Sequence, residues 1–375
     1  MPPNERAASV TRIGINALYL LPGAVGGTEI YLRELLKSLA EIDVPGDSTR
    51  EYFVFTNLET GADLTPRQSN FYWMPQAVHA SFRPARILWE QFVLPLEAAR
   101  YRLDVMLNPG FTAPLLSPCP QVTVFHDLQH KRHPEYFRWF DLPFWRLLLW
   151  ISARRSRGLI AVSVATRADL LRFYHLPPGR VRVVYHGVEP AFFNLDRSHP
   201  GPYLLCVSTL HPHKNIERLL RAYAAGTRRY KLVLAGMPGF QTARIEALIA
   251  ELNLGSSVEI PGWMPREQLY DLYARAHAFV YPSTFEGFGM PVLEALAAGI
   301  PTACSDIPPL REVAGDAALY FDPLDESAIR AALELICSGA ALRQRLATAG
   351  PLQARPFTWT RAAQMTLDAL LMGVQ

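Results

Sequence analysis

Thr11-Arg12-Ile13-Gly14-Ile15-Asn16-Ala17, then Pro22-Gly23-Ala24-Val25-Gly26-Gly27, then Thr28-Glu29-Ile30-Tyr31-Leu32-Arg33-Glu34-Leu35-Leu36 read as consecutive pieces of one folding unit. The first is a short apolar run and the second is rich in glycine. In the third, Ile30, Leu32, Leu35, Leu36 and Leu39 recur at helical spacing. Strand, glycine-rich loop and helix in that order open a doubly wound α/β sheet. Short apolar runs at Tyr52–Thr56, Val105–Asn108, Val122–Phe125 and Leu159–Val162 predict further strands, with helical patterns between several of them. The cycle restarts at Tyr203-Leu204-Leu205-Cys206-Val207, after Ser198-His199-Pro200-Gly201-Pro202. Runs at Lys231–Ala235, Ser257–Ile260, Ala278–Tyr281 and Pro301–Cys304 then alternate with helical segments such as Ile216–Ala224 and Gln268–Arg275. The sequence therefore predicts an α/β protein of two Rossmann-like, doubly wound domains facing a cleft: residues 1–197 and 198–356, followed by a helical tail over 357–375. Ligands of such sheets sit outside the carboxyl ends of the strands.

The bulk properties agree with two ordinary cores. The chain has 375 residues, half of them hydrophobic, and its 19% of charged residues excludes a disordered protein. Cys119, Cys206, Cys304 and Cys337 lie far apart and form no metal-type pair, which fits a reducing cytoplasm. Met1 to Ala8 is polar and lacks the apolar stretch of a signal peptide. No apolar run reaches the roughly 18 residues that a membrane span needs. Charge is uneven: Arg100 to Arg182 carries a net +8, whereas Gly201 onward carries −1.

The most specific chemistry lies in Phe285-Glu286-Gly287-Phe288-Gly289-Met290-Pro291, with Glu294 three residues on and Ala298-Gly299-Ile300-Pro301 after it. Gly287 and Gly289 are poor helix formers and Pro291 suits a first helical position, so the two carboxylates cannot share one helix. Glu286 belongs to a tight loop; Glu294 belongs to the opening of the helix that Pro291 starts. Glycines let backbone N–H groups approach a ligand, and a helix start adds partial positive charge. A carboxylate-flanked anion cradle suits a ligand with both hydroxyls and a diphosphate, which describes a nucleotide sugar.

That stretch resembles the Glu-x7-Glu signature of retaining GT-B glycosyltransferases of family four (glycosyl transferases group 1), with Glu286 and Glu294 as the two glutamates. The likeness runs from the Gly26-Gly27 loop to Trp359. It implies that Glu294 holds the ribose hydroxyls and Glu286 the sugar hydroxyls, with Gly287, Phe288, Gly289, Met290 and Pro291 lining the donor. Lys214, in Val207-Ser208-Thr209-Leu210-His211-Pro212-His213-Lys214-Asn215, follows the first strand of the second domain, where a phosphate is expected. Asn215 is the expected cap of the next helix. The segment is similar to the family's donor-phosphate motif, except that Thr209 stands where many members carry arginine. Gly26 and Gly27 bring backbone amides toward the diphosphate, and Gly236 and Gly262 belong to loops that the resemblance puts around the base.

His126, in Thr123-Val124-Phe125-His126-Asp127-Leu128, ends a predicted strand. With Pro134-Glu135-Tyr136-Phe137 the segment resembles bacterial mannosyltransferases, whose matching histidine sits beside the donor sugar and acceptor. Asp127 orients the following turn, and Ser163 or Thr166 caps a helix. His126 and His130 are four apart, but a strand-to-loop context breaks the single helical face that a metal pair would use. No Asp-x-Asp occurs, and the family is metal-independent, so Lys214 is expected to stabilise the leaving diphosphate with no cofactor.

Phe137 through Arg157 holds three tryptophans, three phenylalanines and five arginines, the mix of an interfacial helix. This crowding of aromatics argues against nucleic acid and for contact with an anionic membrane; the rival is a core helix with a basic end. The reading that emerges is a cytoplasmic enzyme, peripheral on the inner face of the plasma membrane. It is a retaining, metal-independent hexosyltransferase moving mannose from GDP-mannose to a glycan or lipid-linked glycan in polysaccharide or lipopolysaccharide biosynthesis. Its alternatives are a hexosyltransferase using a UDP-sugar, a nucleotide-sugar epimerase on the same architecture, a phosphorylase with a cofactor lysine such as Lys231, and a non-catalytic sugar-binding protein.

Overall fold

The computed structural model describes residues 10–23, 26–46 and 49–374. The chain folds as two units: one runs up to Gly187 and includes the helix Trp359–Val374, the other runs from Val188 to Thr358. Among the described residues the first contains seven parallel strands, β1 (Thr11–Asn16), β2 (Arg50–Thr56), β3 (Phe71–Pro75), β4 (Val105–Asn108), β5 (Gln121–Phe125), β6 (Gly158–Ala161) and β7 (Val181–Val183), ordered β3-β2-β1-β4-β5-β6-β7. The second contains β8 (Tyr203–Val207), β9 (Lys231–Ala235), β10 (Val258–Gly262), β11 (Ala278–Tyr281), β12 (Thr302–Ser305) and β13 (Ala318–Phe321), ordered β10-β9-β8-β11-β12-β13. All their pairings are parallel. Helices cover both faces of such sheets, which is why the central strands β4, β5, β11 and β12 are buried at every residue.

Three strands had no counterpart in the sequence reading, and all three are sheet edges: β3, β7 and β13. An edge strand pairs on one side only. Tyr72, Trp73 and Pro75 of β3 are exposed accordingly, and β7 is three residues long with Arg182 at its centre.

The join between units falls at Gly187, ten residues before the expected boundary at 197. The intervening segment packs with the second sheet's helices. The Phe192 ring meets Tyr270 and Tyr273 edge-on at 5.1 and 5.0 Å, and the Arg197 guanidinium donates to the Tyr273 and Ala276 carbonyls at 2.9 and 3.0 Å. The helix Trp359–Val374 lies against the helix Gly27–Ile42 and β4 to β6. Where the chain enters and leaves the second unit, the Val188 N–H donates to the Phe357 carbonyl at 3.0 Å.

Both strand orders reverse once, the first between β1 and β4, the second between β8 and β11. At each reversal the loops leave neighbouring strands in opposite directions and open a crevice at the carboxyl end of the sheet.

Candidate active site

In the second unit the loops after β8 and β11 border the reversal, and each contributes one charge. Lys214 follows β8; its Nζ donates to Glu286 Oε1 at 2.6 Å and to the Tyr281 hydroxyl at 2.9 Å. Both side chains of this pair are largely buried, with 15% and 11% exposure. Burial pushes the Glu286 carboxyl up, but the Lys214 ammonium, His213 and the direct hydrogen bond outweigh it and hold the group below its ordinary value. Burial, then the Glu286 charge, push the Tyr281 phenol well above its usual range, so it stays protonated and its oxygen accepts from lysine.

The two loops are stitched together. The His213 carbonyl accepts from the Thr284 amide at 2.8 Å and from the Ser283 hydroxyl at 3.0 Å. Asn215 precedes the helix Ile216–Ala224, but it does not cap it as expected: its backbone is left-handed (φ 60°), which turns the side chain away from the helix amides. Its amide instead donates to the Pro282 and Pro323 carbonyls at 3.0 and 2.7 Å, while Oδ1 accepts from Arg218 at 2.8 Å.

Gly289 caps the helix Met290–Ala297 at φ 104°, with Met290 and Pro291 as the first two helical residues. The first amides of a helix have no intrahelical acceptor, so this start presents N–H donors beside Glu286 and Gly287. Phe288 is buried, its ring 6.0 Å from Phe357, which leaves its backbone as the part a ligand can use. Glu294, one turn further in, is buried at 5% exposure. Its Oε2 accepts from the Tyr273 hydroxyl at 2.7 Å and its Oε1 from the Arg266 guanidinium at 2.9 Å. Gly262 ends β10 at φ 78°, and its carbonyl accepts from the Gly236 amide at 3.1 Å.

In the first unit, Gly26 caps the helix Gly27–Ile42, whose first residue is Gly27; Ala24 and Val25 of that loop lie outside the described residues. His126 is buried at the end of β5, with its Nε2 2.9 Å from the Pro109 carbonyl. A carbonyl only accepts, so Nε2 carries the proton and Nδ1 the lone pair. Burial brings the His126 pKa down to about 4, and the ring stays neutral at pH 7. It stacks on His186 at 5.5 Å and meets Tyr31 and Phe111 edge-on at 5.0 and 5.2 Å. Asp127 orients the next turn through the Gln129 amide (2.9 Å), and Ser163 caps its helix through the Thr166 amide (3.0 Å). His130 turns instead to the Tyr174 hydroxyl at 2.8 Å, apart from His126. At the β1/β4 reversal, Asn16 donates to Asn108 at 3.1 Å and to Glu90 at 3.3 Å. Glu90 is a buried carboxylate on the π-helical turn Trp89–Val93, a local irregularity that sequence periodicity did not signal.

Lys231 starts β9 but is exposed and pairs with Glu259, the surroundings of a surface lysine rather than of one buried with a cofactor. Among the described residues, no group of three or more His, Cys, Asp or Glu side chains converges, and no helix is long and apolar enough to cross a membrane.

Residues 188–353 match the family described as glycosyl transferases group 1, and residues 25–192 match glycosyltransferase family 4. The chain is 32% identical over 263 residues to O-antigen chain mannosyltransferase B of Escherichia coli, covering 66% of this chain and 69% of that protein. It is 29% identical over 225 residues to O-antigen chain mannosyltransferase RfbU of Salmonella typhimurium, covering 60% of this chain and 62% of that relative. Sucrose-phosphate synthase from Thermosynechococcus elongatus superposes with a TM-score of 0.79 at 23% identity, covering 97% of this chain and all of that one. Anabaena HepE in complex with UDP-glucose superposes with a TM-score of 0.74 at 17% identity over 96% of this chain and 99% of that one. Two parallel Rossmann-like sheets and these structural neighbours define the GT-B fold. The chain belongs to glycosyltransferase family 4, and the protein is a glycosyltransferase.

Proposed function

We propose that this glycosyltransferase moves mannose from GDP-mannose to a glycan or lipid-linked glycan of a surface polysaccharide, with retention of anomeric configuration and without a metal ion. The observation that carries the reading is the Lys214–Glu286 pair at the strand reversal of the second sheet, taken with relatives named O-antigen mannosyltransferases. In this reading Lys214 and the amides of Gly26, Gly27, Gly289 and Met290 bind the diphosphate. Glu286 accepts sugar hydroxyls, Glu294 the ribose hydroxyls, and His126 contacts the reacting sugar through the lone pair on Nδ1. Gly262 borders the base. The bond from the anomeric carbon to the diphosphate oxygen breaks while the acceptor oxygen bonds that carbon on the same face. The acceptor's proton passes to the departing diphosphate, whose growing negative charge Lys214 offsets.

The lipid end of the acceptor is assigned to residues 137–157. The helix Leu142–Arg155 buries Leu148, Leu149, Ser152 and Ala153 and exposes Phe144, Leu147, Trp150, Arg154 and Arg155, with Trp139 84% exposed just before it. Apolar and cationic side chains on one outer face suit an anionic bilayer surface.

The test is nucleotide release by the purified protein with GDP-mannose, UDP-glucose, UDP-galactose and UDP-N-acetylglucosamine, each with and without EDTA. Turnover of GDP-mannose that survives EDTA is expected, with an α-configured product by NMR. Turnover confined to a UDP-sugar overturns the donor, loss in EDTA restored by manganese overturns metal independence, and a β product overturns retention.

A further inference from the structure

Glu294 is held from behind. Its two oxygens accept from Tyr273 Oη and the Arg266 guanidinium, at 2.7 and 2.9 Å. The same Arg266 nitrogen also donates to Glu189 Oε1, and the Tyr270 hydroxyl donates to Glu189 Oε2. The guanidinium lies over the Phe192 and Tyr270 rings at 5.1 and 5.5 Å, and Phe192 packs on Tyr273. Side-chain exposure is 26% for Arg266, 17% for Glu189 and 7% for Glu294, so the cluster is largely dry. Burial opposes the arginine's charge, but Glu294 and Glu189 more than offset it. One cation between two carboxylates leaves a net −1, and two phenols cannot neutralise that. The site therefore retains acceptor capacity on Glu294 for incoming O–H donors.

We propose that Arg266 is a positioning residue for donor recognition: with Tyr273 it occupies one side of the Glu294 carboxylate, so that the remaining lone pairs are aimed together at a vicinal diol, the ribose of the nucleotide. This rests on the reading of Glu294 as the ribose-binding residue. A glutamate left free to rotate would lose that freedom on chelating a diol, whereas one already held by a buried guanidinium and a phenol does not. Lysine at 266 would keep the charge but lose the planar guanidinium that lies over the Phe192 and Tyr270 rings and fixes the donor between the two carboxylates.

The experiment compares calorimetric affinities of GDP and UDP with those of their 2′,3′-dideoxy forms for wild type, Arg266→Met and Arg266→Lys. Wild type is expected to prefer the ribose form of its nucleotide by about 10-fold or more, the scale of a charge-assisted hydrogen bond. Arg266→Met should bring that preference close to one by weakening the ribose form alone, and Arg266→Lys should restore part of it. In turnover, KM for the donor should rise with kcat nearly kept, because the ribose is remote from the reacting atoms. If Arg266→Met does not fold, judged by its thermal transition, Arg266→Lys carries the test. A wild type without ribose preference sinks the reading of Glu294, and this proposal with it. A wild type with the preference and folded variants that keep it in full overturn the role of Arg266 alone.

Discussion

Lys214 and Glu286 reach each other from different strand ends, and each compensates the burial of the other. Removing one partner of a buried pair leaves an uncompensated charge, at a cost of about 3–5 kcal/mol. Lys214→Met and Glu286→Leu should each lower the stability of the second unit on that scale in chemical denaturation. The double variant should regain most of it, since apolar residues of similar volume often replace a buried pair at little cost. Transfer activity should stay absent in all three, which separates the pair's part in folding from its part in chemistry. His126 permits a second prediction. Its folded-state pKa of about 4 lies below the ordinary 6.5, so between those values the unfolded chain binds more protons. Stability of the first unit should fall as pH drops through that window, and His130, likewise lowered to about 4 chiefly by burial, acts in the same direction. His126→Gln can still donate to the Pro109 carbonyl but cannot be protonated; melting at pH 7 and pH 5 should show a smaller difference than in wild type. Lys214, Glu286 and His126 were legible in the sequence because each lies in the segment after a strand and sits in a dense motif. Arg266, Tyr273, Tyr281 and Glu189 were not. Arg266 starts a helix, Tyr273 sits within it, Tyr281 ends a strand and Glu189 follows the join, and what unites them is packing across the second sheet.

The loops that carry these side chains are braced by backbone as much as by side chains. The Ser208 amide donates to the Ala235 carbonyl at 2.8 Å and the Gln241 amide to the Leu210 carbonyl at 3.0 Å, so the loop after β9 lies directly on the loop after β8. Gly236 makes this approach feasible: its φ is 140°, and a Cβ there would run into the Ser208 carbonyl oxygen. Gly236→Ala should destabilise the second unit by about 1–3 kcal/mol through backbone strain alone. It should also weaken nucleoside diphosphate binding, because the displaced segment leads to Lys214; thermal melting and calorimetry check both. At this scale the sequence was a good guide wherever strands are central. Val105–Asn108, Tyr203–Val207, Lys231–Ala235 and Ala278–Tyr281 match their predicted bounds because the interior of a strand flanked on both sides must be apolar. The three strands without a predicted counterpart, β3, β7 and β13, each pair on one side only.

Across the whole molecule the charge is lopsided, with a net +8 between Arg100 and Arg182. Arg154, Arg155 and Arg157 are exposed beside the aromatic helix face, and each should add about 1 kcal/mol to binding of an anionic surface. Replacing all three with glutamine should release the protein from phosphatidylglycerol vesicles at low salt and leave donor turnover intact. The end of that helix should survive, because its terminal carbonyls, those of Ala153 and Arg154, are held at 3.1 Å by a different residue, Arg180. Wild type that ignores such vesicles in sedimentation would leave residues 137–157 as an ordinary part of the first unit.

The placement of Trp359–Val374 also bears on how the protein is made. Trp359 is buried beside Tyr31 and His186, with ring centroids 6.1 and 5.7 Å away. A ribosome delivers most of the first unit early but its closing helix only after the whole second unit. The later-made half is continuous in sequence and can complete itself as soon as it emerges. The earlier-made half must wait, with the surface between Gly27–Ile42 and the sheet uncovered, until Trp359–Val374 has followed the second unit out. Domains usually mature in the order of their synthesis; here that order is inverted, and the interval before Trp359–Val374 arrives is when the nascent chain most needs shielding from its neighbours.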